Sequence, residues 1–193
     1  DRTFAKSYYE GMRWGEIWGY RTGGLFASDA EAAGYAVDQT AVNNRINAAA
    51  GSERGLHAGD LKFLDLDGDN VISIGKNTVD DPGDREIIGN SQPRFHYGTT
   101  LSMSWAGIDF SIFFQGVGRR QWYPKANTIA FWGPYARPYA SWIPKDFHKM
   151  YWSEENPDAY FPRPRGYNAY SGGALGEKND RYLQNLAYLR LKN

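Results

Sequence analysis

Asp65-Leu66-Asp67-Gly68-Asp69-Asn70-Val71-Ile72-Ser73 sets three carboxylates at alternate positions and follows them with a β-branched pair and a hydroxyl. That spacing suits a hard cation. Calcium takes about six to eight oxygens, and an EF-hand-type loop supplies them from positions 1, 3, 5, 7 and 9, here Asp65, Asp67, Asp69, the Val71 carbonyl and Ser73. Position 6, the sharp turn, holds Asn70, which tolerates the left-handed region. Position 12, where a bidentate glutamate belongs, holds Lys76. Asp80, Asp81 or Asp84 can take that place only if the chain loops back. The alternative is an Asx-rich turn with solvated carboxylates.

A second group of residues suits ligand contact rather than catalysis. Trp122, Trp132, Tyr135, Tyr139 and Trp142 are interleaved with Pro124, Pro134, Pro138 and Pro144. Such rings can stack on sugar faces, or they can pack against the prolines. Acid–base chemistry has weaker support. Glu154 and Glu155 are adjacent, and on an extended chain they point to opposite sides. Asp109 has no evident partner acid. His57, His96 and His148 are scattered, and Gly19, Gly23 and Gly24 are not followed by the helix that a phosphate loop requires. The expectation is a protein that is not an enzyme.

Composition narrows the class. Aromatics make up 16% of residues, with 7 Trp and 14 Tyr, yet the mean hydropathy is well below zero. Amphipathic rings of this kind favour interfaces with ligands or lipid headgroups. Lys plus Arg and Asp plus Glu balance at 22 each, which argues against a nucleic-acid partner. Without cysteine there is no disulfide, thiolate site or thiol nucleophile. No apolar run is long enough for a membrane helix, but a membrane strand needs only about ten residues with one apolar face.

The element best placed to carry that face is residues 94–115. Phe95, Tyr97, Thr99, Leu101, Met103 and Trp105 alternate with His96, Gly98, Thr100, Ser102 and Ser104. After Ala106-Gly107 the period-two pattern resumes with Ile108, Phe110, Ile112 and Phe114. This predicts strands over 94–105 and 108–115, joined by a tight turn. On the first strand this face is capped by Phe95 and Tyr97 at one end and by Trp105 at the other, with Leu101 and Met103 between, as a lipid-facing strand should be, and Ile108, Phe110, Ile112 and Phe114 continue it. A half-buried hairpin of a soluble sandwich would alternate in the same way. Weaker alternation predicts further strands over about 12–20 and 184–192. Long loops fill about 21–93 and 116–183, the first with short helices over 28–34 and 38–50.

Six segments carry a family resemblance: Gly19-Tyr20-Arg21-Thr22-Gly23-Gly24-Leu25-Phe26; the run from Ala58 to Asp69; Ile87-Ile88-Gly89-Asn90 with Pro93; Phe113-Phe114-Gln115-Gly116; Trp152-Ser153-Glu154-Glu155-Asn156-Pro157; and Tyr188-Leu189-Arg190-Leu191-Lys192-Asn193. In order and spacing the chain resembles the later part of a SusC/RagA-type TonB-dependent outer-membrane transporter, over nearly its whole length. The resemblance implies an all-β fold: antiparallel strands of a large transmembrane β-barrel in the bacterial outer membrane, with long extracellular loops. Residues 1–193 would then be part of a barrel completed by strands elsewhere. The implied function is active import of glycan or peptide oligomers, with a SusD-like surface lipoprotein and a TonB complex as partners. One departure is the insertion of residues 74–83 between the acidic loop and Asp84-Arg85, which bears on the twelfth ligand. The rival expectation is a soluble carbohydrate-binding β module with a calcium-stabilised loop.

Overall fold

The computed structural model describes residues 8–43, 46, 51, 54–137, 139, 141, 143–165 and 174–192. Its strands are β1 (Glu16–Tyr20), β2 (Thr22–Leu25), β3 (Leu61–Phe63), β4 (Arg85–Asn90), β5 (Phe95–Trp105), β6 (Ile108–Gly118), β7 (Gln121–Trp122), β8 (Gln184–Asn185) and β9 (Tyr188–Leu191). Two short helices, α1 (Asp29–Gly34) and α2 (Ile129–Trp132), accompany them. The fold is mostly β, in small antiparallel sheets ordered β1-β4, β2-β3, β5-β6-β9 and β7-β8. The described residues form no closed barrel, and no described helix is long and apolar enough to cross a membrane.

β5 and β6 pair without interruption from Phe95↔Gly118 to Trp105↔Ile108. Their turn is tight because Ala106 and Gly107 both take positive φ, 50° and 83°, the conformation that matches strand twist across two residues. Directly opposed residues share a face. The register therefore gathers Phe95, Tyr97, Leu101, Met103, Trp105, Ile108, Phe110, Ile112 and Phe114 on one side. β9 continues that side with Leu189 opposite Gly116 and Leu191 opposite Phe114. On the other side Ser104 Oγ donates to Asp109 at 2.6 Å, and Ser102 and Ser111 hydroxyls lie 3.2 Å apart.

The outer strands differ from the sequence expectation. The stretch 12–20 is extended only from Glu16, and β1 pairs with β4 through a bulge at Ile17/Trp18. The stretch 184–192 breaks between β8 and β9, where the Ala187 amide donates to Asn185 Oδ1 at 2.9 Å. β7 and β8 prolong the β6–β9 ladder beyond Arg119, which kinks the strand with φ 49°. Asn side chains that satisfy backbone donors locally are a common cause of such breaks.

The regions 21–93 and 116–183, expected as long irregular loops, fold together. They contribute β2, β3, β4, β7 and both helices, and they share one buried cluster that includes Phe63, Ile72, Trp132, Tyr135, Phe161 and Tyr182. Trp132 is 1% exposed and meets Phe131 and Tyr182 edge-on at 4.7 and 5.0 Å. A polar seam locks the halves: the Tyr20 amide donates to Lys178 O at 2.8 Å and the Asp180 amide to Tyr20 O at 3.1 Å. α1 forms where Ser28 accepts from the Glu31 amide at 3.1 Å, a side-chain cap. Of the helix expected over 38–50, residues 38–43 make a bridge and turns and Ile46 is helical; 44–45 and 47–50 lie outside the described residues.

The result is a packed body with a sheet projecting from it. Every residue of β5 is exposed, so neither face of that strand is covered.

Candidate metal centre

The acidic loop is shaped by its own carboxylates. Asp65 accepts the Gly68 amide at 2.7 Å and the Asn70 amide at 2.8 Å. Asp69 accepts from Val71 at 2.7 Å, and Asp67 from Asp69 at 3.2 Å. These Asx turns drive Gly68 and Asn70 to φ 82° and 64°, conformations that Gly and Asn adopt at low cost. An Asp38 bridge anchors the far side, with the Asp38 amide on Asn70 O and the Ile72 amide on Asp38 O, both at 2.8 Å.

The insertion is closed at its base, and that closure selects the additional acid. Gly75 and Gly83 lie so close that a Cβ on Gly75 would fall 2.6 Å from Gly83 N. Arg85 donates to Ile74 O at 3.1 Å and to Asn77 Oδ1 at 2.9 Å, fixing the looped-out segment. The chain thus returns to where it left, and buried Asp84 accepts the Leu66 amide at 2.8 Å and the Ser73 amide at 2.7 Å.

Carboxylate oxygens of Asp65, Asp67 and Asp84 lie within 4.8 Å of one another. Asp69, Asp80 and Asp81 do not belong to this group. Asp81 instead faces Lys76 at 3.4 Å, and Ser73 Oγ accepts the Gly75 amide at 3.1 Å. The Gly68 and Asn70 amides hold the Asp65 carboxyl below the usual aspartate range. At Asp67 the Asp69 amide pulls down, but desolvation and the charges of Asp84, Asp69 and Asp65 outweigh it, leaving that carboxyl raised. A positive ion would relieve this repulsion. Each carboxylate has about four lone-pair sites, so oxygens already accepting one amide retain capacity for a ligand bond. The donor set therefore fits a metal ion.

The expected aromatic platform is dispersed. Trp132 and Tyr135 are core residues at 1% and 4% exposure, so no ring face is left for a sugar. Trp132 Nε1 donates to Lys125 O and Tyr135 Oη to Pro162 O, and burial pushes the Tyr135 phenol up. Trp122 and Tyr139 are exposed, at 39% and 73%, and Trp142 lies outside the described residues. Composition alone could not separate these cases, because all five rings are flanked by similar polar and proline-rich sequence.

The expected lipid-facing set stays together. Phe95, Tyr97, Leu101, Met103, Trp105, Ile108 and Phe110 are each between 43% and 72% exposed, while Ile112 and Phe114 are half-buried. Sequence reasoning quoted Gly116 only as the end of a family motif and gave it no packing role, yet Tyr188 O would close to 2.8 Å on its Cβ position, so β9 lies tight against β6 there. It also missed Arg165, which pairs with Asp60 in the core; the signal available was only an Arg in a Pro-rich run. No protein-family model matches the chain, and no curated protein matches it.

Proposed function

We propose that the chain forms part of a TonB-dependent importer of the SusC/RagA type in the bacterial outer membrane, supplying wall strands and extracellular structure for uptake of glycan or peptide oligomers. The observation that carries this reading is the apolar side of the β5-β6-β9 sheet, which no described residue covers. Contiguous exposed apolar surface of this kind marks a membrane or partner interface. On β5 it runs from Phe95 and Tyr97 through Leu101 and Met103 to Trp105, which suits the two headgroup levels and the acyl region between them, where Phe110 and Phe114 of β6 add apolar rings. The opposite side, polar from Thr100 to Ser104 and at Asp109 and Ser111 although it carries Phe113 and Val117 nearer the root, would face a water-filled lumen. The outer edges of β5 and β9 would pair with further barrel strands, and the packed body would stand outside the membrane beneath a SusD-like lipoprotein. A TonB complex would drive transport through a region beyond these strands, and no covalent chemistry is required.

In this reading the ion held by Asp65, Asp67 and Asp84 is calcium, in a structural role. Hard oxygen donors and an extracellular setting favour it over softer metals. A soluble carbohydrate-binding module is the weaker reading, because it leaves both sides of β5 in water.

The test is tryptophan quenching by lipids brominated on their acyl chains, in the protein reconstituted in bilayers. Trp105 should contribute a quenched component that Trp105→Phe removes. An unquenched Trp105, or a protein recovered in the soluble fraction without detergent, overturns the proposal.

A further inference from the structure

A cleft of about 770 Å³ opens at the root of the β5–β6 hairpin, at the end opposite its turn. Arg13, Arg94 and Arg119 all line it, and all are exposed. None of the three side chains has a carboxylate partner among the described residues. Arg94 is steadied by lying over the Phe95 ring at 5.6 Å. The one acid in the lining, Glu16, accepts the Arg13 amide at 2.9 Å and the Tyr9 hydroxyl, and its single charge leaves the three arginines in excess. An excess of guanidinium charge around a cavity favours an anion, and the planar forks favour carboxylate or phosphate.

A flat aromatic wall accompanies the charge. Trp14 lines the cleft and stacks on Tyr8 with centroids 5.2 Å apart and planes 15° from parallel. Both rings remain exposed, at 62% and 60%. The wall is held in place from behind: Asn90 Nδ2 donates to Trp14 O at 2.9 Å, and the Ser91 amide donates to Gly15 O at 2.7 Å. A Cβ on Gly15 would come within 2.6 Å of Gln92, so the turn and the strand end are fitted closely. Gln121, whose Oε1 accepts the Asn90 amide at 2.9 Å, completes a polar floor.

We propose that this cleft binds an acidic saccharide, with a sugar ring against Trp14 and its carboxylate or phosphate on Arg13, Arg94 and Arg119. A bare phosphate would use the arginines and leave the aromatic wall idle; a neutral sugar would leave the arginines unpaired. The site does not depend on the membrane reading, since the cleft exists whether or not the hairpin faces lipid. The acidic sugar can come from a free oligosaccharide or from the phosphorylated headgroup of an outer-leaflet glycolipid.

The experiment is titration calorimetry on the purified protein with trigalacturonate, with maltotriose as its neutral counterpart and with lipid A in detergent. At least one acidic probe should bind about tenfold or more tightly than maltotriose, and that binding should weaken as sodium chloride rises from about 0.05 M to about 0.5 M. Trigalacturonate binding assigns a free oligosaccharide, and binding of lipid A alone assigns the glycolipid. The variant Arg13→Gln/Arg94→Gln/Arg119→Gln should lose the acidic preference, and Trp14→Ala should weaken the sugars but not inorganic phosphate. If the triple variant does not fold, the single exchanges at these exposed positions carry the comparison, each with a several-fold loss. Equal affinity for acidic and neutral probes, or wild-type binding by the arginine variants, overturns the proposal.

Discussion

Arg165 grips Asp60 through Nε at 2.9 Å and through Nη2, with both side chains only 1% exposed. The same guanidinium donates to Gly55 O at 3.0 Å, and the His57 amide donates to Asp60 Oδ2 at 2.8 Å. Removing one partner leaves the other charge buried without its counter-ion, so Arg165→Met should destabilise the body by about 3–5 kcal/mol. The double exchange Asp60→Leu/Arg165→Met should recover a large part of that loss. Denaturant melts of these two variants and of the single exchange Asp60→Leu check this, and additive losses would show that the pair is not coupled.

Leu101 lies mid-strand opposite Ile112 and is 55% exposed. With lipid against it, Leu101→Arg should cost about 2–4 kcal/mol in refolding from denaturant into detergent or bilayer. With water against it the same exchange should fall within about 0.5 kcal/mol. The two environments thus give separable outcomes from one measurement.

Ala106 carries a φ of 50° at the first position of the hairpin turn. A Cβ makes that conformation unfavourable, while glycine adopts it freely. Ala106→Gly should therefore stabilise the protein by about 0.5–1 kcal/mol, read as a raised denaturation midpoint. Ala106→Val, branched at Cβ, should lower it.

Acid should loosen the turns that Asp65 holds in the acidic loop. The folded loop holds the Asp65 proton less readily than the unfolded chain does, because its carboxylate accepts the Gly68 and Asn70 amides. Its contribution is therefore present above the ordinary aspartate range and is lost as pH falls through the lower, folded value. Hydrogen exchange at the Gly68 and Asn70 amides, corrected for intrinsic rates, should lose protection on that descent. Calcium should oppose the loss and a chelator should enhance it. Unchanged proteolysis between Leu64 and Asp84 after chelation would argue against an ion there.

The hairpin was legible because strict alternation and the Ala106-Gly107 pair are both local signals, and α1 because Ser28 and Glu31 act within one turn. The β1–β4 pairing was not, since the bulge at Ile17/Trp18 breaks the period on which a strand assignment depends. The core was missed for a different reason. Tyr20, Phe63, Trp132 and Tyr182 pack together across most of the chain, and no short window contains their partnership. In the acidic loop the residue types and the left-handed Asn70 could be read directly, but the choice of Asp84 over Asp80 or Asp81 depends on how the insertion closes at Gly75 and Gly83.

The two-residue turn also has a bearing on how the molecule assembles. Its ladder ends with the Arg94 amide on Gly118 O at 3.2 Å, so zipping the hairpin delivers the two flanking segments to one point. A two-residue loop closes early and with little entropy loss, whereas Tyr20 meeting Tyr182 unaided would require closing most of the chain. The projecting sheet thereby acts as a tether that raises the local concentration of each half of the body for the other. Cleavage between Ala106 and Gly107 would convert a first-order docking step into a bimolecular search.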